Sequence, residues 1–114
     1  MGTARAAAVA VGAIATMVTV PLHKRLIPSS IAIDNQGLVP HTIYLRDDFT
    51  PDAYDGVASP GAQTIVKGQW TVASGITALL EGDDLKGLSF LGALKEYADS
   101  ADASCVITVN YEFE

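Results

Sequence analysis

One cysteine, Cys105, in 114 residues leaves no partner for an internal disulfide, so the fold holds without covalent staples. Cations are scarce as well. Seven Lys and Arg stand against thirteen Asp and Glu, a formal net charge of −6. That balance argues against nucleic acid as the principal partner, because little positive charge exists to displace phosphate counterions. The one basic run is His23-Lys24-Arg25. There is no G-x-S-x-G elbow, no Gly-rich phosphate loop and no Ser/His/Asp spacing, so no catalytic residue and no cofactor is expected. Zinc needs three or four ligands, and two distant histidines, His23 and His41, with one cysteine fall short of that. Cys105 itself sits in an alternating apolar run and reads as a small buried hydrophobe. Neither an internal repeat nor a low-complexity linker divides the chain.

What is present is apolar and punctuated. Almost half the residues are hydrophobic, and 15 Gly and Pro together break the chain into short pieces. That mixture, at the length of one ordinary domain, predicts a compact β-rich fold with a single core. The clearest element is "CVITVNYEF". Cys105, Ile107, Val109, Tyr111 and Phe113 share one face and Val106, Thr108, Asn110 and Glu112 the other, as in a half-buried antiparallel strand. "SIAIDNQG" and "HTIYLRD" alternate in the same way across an Asn-Gln-Gly turn. "AQTIVKGQWTVAS" reads as a further strand with a bulge or bend at Gly68, and "GITALLEG" as another. Residues 83–98 fit two readings. Leu88, Leu91, Leu94 and Ala98 recur at helical spacing behind an Asp83 or Asp84 cap, while Gly87 and Gly92 disfavour a helix. A strand over Ala93–Ala98, paired with the closing strand, is the expectation. Seven or so strands spaced this way predict a mainly β, antiparallel β-sandwich or jelly-roll-like single domain over residues 28–114.

Residues 1–27 read differently. "AAAVAVGAIATMVTVPL" is seventeen residues without a charge, resembling a secretory signal and close to the lower limit for a membrane span. Its Ala, Gly, Val and Thr content is poor in Leu, and Ile14 to Val20 is β-branched and alternating, which suits extended chain. The expectation is an extended N-terminal arm packed on a neighbouring subunit, with a terminal strand of the protein's own sheet and a membrane helix as the other readings. Ile14, Met17, Val18 and Val20 are then candidate interface residues. So are Lys24 and Arg25, as complement to a neighbour's aspartates, and Trp70, which is otherwise core.

Four aspartates, Asp47, Asp48, Asp52 and Asp55, fall within nine positions. Calcium takes six to eight oxygens, and the order D-D-x-x-x-D-x-x-D-G does not match an EF-hand loop. Turn chemistry around Thr50-Pro51-Asp52 and Asp55-Gly56 makes a solvated loop the expectation, with no metal; a calcium site there is the weaker alternative.

The runs "IAIDNQG…HTIYLRDDFTPDA" and "ADASCVITVNYEFE" resemble small structural proteins of tailed bacteriophages. In those a strand ending in Asp-Asn precedes an "LRDxFTPDA" segment and a closing "VTVxYxxE" strand. The resemblance covers roughly residues 28–114 and is to head decoration, or capsid cement, proteins. It implies a β-sandwich core, a non-enzymatic role on the head surface of a virion, a major capsid protein or other virion protein as partner, and a homo-oligomer, with a trimer favoured. No membrane partner is implied. A tail, baseplate or fibre component, and a calcium- or carbohydrate-binding β-sandwich module, are the alternatives.

Overall fold

The computed structural model describes residues 2–21, 24–49 and 63–114. Among the described residues there are eight strands: β1 (Gly2–Ala8), β2 (Ala15–Thr19), β3 (Leu26–Asn35), β4 (His41–Phe49), β5 (Gln63–Val72), β6 (Ile76–Glu81), β7 (Ala93–Ala98) and β8 (Asp102–Phe113). They form two four-stranded sheets, β1-β8-β3-β6 and β2-β7-β4-β5, in which every pairing is antiparallel. The pairs are nested: β4 with β5, β3 with β6, β2 with β7, β1 with β8. The chain is one long hairpin rolled up until β8 also meets β3 and β7 also meets β4. This is jelly-roll topology, and the β-sandwich read from the sequence is the fold.

The core lies between the sheets. Ile31, Ile33, Cys105, Ile107 and Val109 face it from one side and Ile43, Leu45, Leu94 and Ala98 from the other, all buried. Phe90 and Leu26 close one end, held by reciprocal backbone bonds of 2.8 and 3.0 Å. The period-two pattern of β8 and β4 sets which face is buried.

Two expectations change and a third is met. Residues 2–8 and 15–19 are edge strands of the two sheets, not an arm reaching another chain. β1 lies along β8 from Gly2–Tyr111 to Ala7–Val106, with Thr3 Oγ1 donating to Asn110 Oδ1 at 2.7 Å and Arg5 Nε donating to Thr108 Oγ1 at 3.2 Å. The reading as the protein's own strand is therefore the one realised for these residues, and among the described residues no helix is long and apolar enough to cross a membrane. The boundary at residue 28 also disappears, because β3 runs through it. A register break between Pro28 and Ser30 reverses the alternation, so Leu26 and Pro28 before it and Ile31 and Ile33 after it all point inward. Pro28 is tolerated because on the flank away from β8 the strand pairs with Phe90 only at Leu26 and with β6 only from Ser30 onward, so no ladder bond falls on Pro28 itself. Finally, residues 83–98 divide: Gly82–Leu85 is a short 3-10 turn and Ala93–Ala98 is the expected strand.

Candidate functional site

The acidic cluster is the first place to look. Asp52 and Asp55 lie outside the described residues. Asp47 and Asp48 both belong to β4, not to a solvated loop, and as strand neighbours they point to opposite faces of the sheet. Asp47 is turned inward and fully buried. Its carboxylate accepts the Leu91 N–H at 2.9 Å and the Gly92 N–H at 3.1 Å, and Lys67 Nζ lies 3.4 Å away. These bonds fix the turn that presents Phe90 to the core. Asp48 faces outward, accepting from Arg46 at 2.9 Å with Lys95 Nζ at 2.8 Å. Burial raises its affinity for a proton, but the Lys95 and Arg46 contacts outweigh this and hold the carboxyl below its ordinary range. Two carboxylates on opposite faces, each already partnered, cannot close on one cation. Among the described residues no cluster of His, Cys, Asp and Glu has the arrangement of a metal site.

The candidate interface residues are mostly absorbed by the chain itself. Val20 is buried, and Met17, Val18 and Trp70 pack against the core. A register break between Thr16 and Val18 brings this about, since it lets Met17 and Val18 both turn inward. Ile14 is half-buried between the 3-10 turn Val11–Ala13 and β2. The Trp70 indole lies over Gly68, where any Cβ would come within 2.3 Å of the ring. This explains a glycine in mid-strand beside the break at Lys67. Arg25 contacts Glu114 of its own chain at 3.4 Å, both side chains half-exposed, and Lys24 is exposed. Arg25 and Lys86 stand at the rim of an open groove of about 480 Å³ floored by Ile27, Leu85 and Leu88.

A constellation that spacing did not suggest lies at the opposite end. His41, at the start of β4, is 2% exposed. Its Nδ1 is 2.9 Å from Asp99 Oδ1 and its Nε2 is 2.8 Å from Asp102 Oδ2, both on the β7–β8 hairpin. The Asp99 bond, opposed by desolvation and reinforced by Asp102, raises the affinity of the ring for its second proton. Asp102 is held low by the Ser104 N–H and by His41; burial raises Asp99, but His41 together with the Ser100 and Thr42 backbone holds it low. Ser100 Oγ is 3.4 Å from Nδ1, which places serine, histidine and aspartate together. Yet both ring nitrogens already face carboxylates, so no nitrogen is free to take the serine proton. The arrangement is a clasp joining β4 to the hairpin. The signal was hidden because its parts lie 58 and 61 positions apart. Asn35 does similar work: fully buried, it donates to Val39 O at 3.0 Å and Val72 O at 2.9 Å and accepts the Gly37 N–H at 3.0 Å.

Two buried ionisable groups complete the interior. Cys105 is fully buried and desolvation pushes its thiol up to about 11, which leaves almost no thiolate at neutral pH. Glu96 of β7 points inward beneath the segment joining β1 to β2, beside Ala15 and Leu45 on the flanking strands. It is fully buried and neither carboxyl oxygen completes a hydrogen bond. Desolvation raises it to about 7, the Val9 backbone being the one group near enough to oppose this.

No family model, no curated protein and no solved structure matches the chain.

Proposed function

We propose that this chain is a non-enzymatic structural protein of a tailed-phage particle, acting as a decoration or cement protein at the seams between capsid subunits. The observation that carries the reading is where its buried polar groups point. His41, Asp47 and Asn35 each hold a loop or hairpin in place, so the polar interior braces a shape instead of meeting a substrate. A rigid jelly roll of this kind, an architecture that viral capsid domains share, presents broad sheet faces suited to packing on a lattice. On one outer face Tyr44 and Tyr97 stack at 4.8 Å beside the Arg46–Asp48–Lys95 set, giving a partner both aromatic surface and fixed charge. Its partners are the major capsid protein and further copies of itself.

The test is position and effect in the particle. The protein, added to purified heads lacking it, should co-sediment with them and raise the temperature at which they release DNA. Recovery with isolated tails and not with heads would assign it to the tail, baseplate or fibre, and failure to bind either would end the virion reading.

A further inference from the structure

Four strands end the two sheets: β1 and β6 in the first, β2 and β5 in the second. An uncovered strand edge displays unpaired N–H and C=O groups, and proteins blunt such edges with bulges, lysines or prolines. Two of the four are interrupted by breaks in register, β2 between Thr16 and Val18 and β5 at Lys67, opposite Leu45 and Arg46; β1 is in register from Gly2 to Ala7 and shifts only at its last residue, but it carries Arg5 among Gly, Ala and Thr side chains. β6 has no break. It runs through six successive pairs with β3, from Ser30–Glu81 to Asn35–Ile76. Its sequence, Ile76-Thr77-Ala78-Leu79-Leu80-Glu81, contains no Pro, Gly, Lys or Arg. Leu79 is 58% exposed and Ile76 52%. β6 is thus unbroken in register and largely apolar, among the described residues no strand pairs with its outer side, and of the four edges it is the one with neither a register break nor a basic residue.

The geometry points to β6 as a self-association strand, through which two copies of this chain join edge to edge and merge their first sheets into one of eight strands. The occupant follows from the strand's own complementarity. A two-fold axis normal to a sheet pairs identical strands antiparallel, with opposed residues on the same face, so the axis must lie level with a residue, midway between it and its copy. Placed at Leu79, it sets Leu79 on its counterpart, Ala78 on Leu80 and Thr77 on Glu81. The strand's one charge then meets a hydroxyl, and no like charges are opposed. The net charge of −6 on each copy resists the approach at long range, so added salt should strengthen the pair. The contact is two-fold and independent of any role in a virion.

The mass of the purified full chain by sedimentation, at about 0.15 M and about 0.5 M salt (screening lengths of roughly 8 and 4 Å), tests this. Wild type should run at an even multiple of 11.9 kDa, increasingly so at the higher salt. L79K and L79E, at an exposed position that leaves the core untouched, should each run at half the wild-type mass with an unchanged circular dichroism spectrum. Mixing the two variants one to one should restore the doubled mass, because the Leu79-on-Leu79 register then sets opposite charges face to face. A wild type that is monomeric or an odd multiple, variants of unchanged mass, or a mixture that stays at half mass would each overturn the assignment.

Discussion

Replacing Glu96 with Gln tests the least comfortable group in the fold. The side chain is fully buried and both oxygens lack a hydrogen bond, so the interior tolerates it as a neutral acid far better than as an anion. Its ionisation moves from 4.5 in exposed chain to about 7 in the fold. Between those values the unfolded state binds fewer protons than the native one, so stability falls as pH rises through the window and levels off above it. The gap of about 2.5 pH units, at about 1.4 kcal/mol each, makes the loss roughly 3 kcal/mol. That is a large share of the 5–15 kcal/mol typical of a domain. E96Q keeps the shape and removes the titration. Urea unfolding of both proteins at pH 5, 6, 7 and 8 should give similar stabilities at pH 5 and a variant about 3 kcal/mol more stable at pH 8. His41 titrates in both proteins and cancels in the difference. Two stability curves running parallel from pH 5 to 8 would refute the argument, since Glu96 would then have to be solvated or paired in the fold.

Three further outcomes follow from single contacts. H41N removes a buried ring from between two carboxylates and should cost about 3 kcal/mol at pH 6. The raised His41 proton affinity makes its contribution full below 6.5 and lost as pH rises through the folded value, so urea unfolding should show a smaller difference at pH 9 than at pH 6. D47A leaves the Leu91 and Gly92 N–H groups without their acceptor and frees the turn bearing Phe90; a loss of about 3 kcal/mol in thermal or urea unfolding is expected. G92A would set a Cβ 2.1 Å from the Asp48 carbonyl oxygen, a clash with backbone that only a shift of β4 relieves. It should destabilise by about 2 kcal/mol or more, read as a lowered melting temperature.

The strands legible in the sequence were those whose alternation is unbroken. β8 and β4 declare their buried face in every second residue. β3 misled because the bulge at Ser29 reverses its phase, so Pro28 looked like a boundary when it is a bend inside a strand. β1 carried no signal at all. Its Gly-Thr-Ala-Arg-Ala-Ala-Ala has side chains too small to show amphipathic contrast, and only the ladder with β8, more than a hundred positions away, makes it a strand. The same distance hid the site chemistry. Asp47 looked like loop because its partners, Leu91 and Gly92, come from another hairpin, and His41 looked isolated because Asp99 and Asp102 do. Glu96 was the hardest to read. In Ala93-Leu94-Lys95-Glu96-Tyr97 either face of the strand holds a charge, and nothing local says that the lysine is the one left in water.

The nesting of the strand pairs also orders events in time. β4 finds β5 across a short stretch of chain, whereas β1 needs β8, so β1, made before the other seven strands described, is the last of them to obtain a neighbour. Until translation reaches residue 102 the leading strand has no ladder to join. The polypeptide closes from its middle outward, and its opening should start where its assembly finishes, at the seam between the first strand and the eighth.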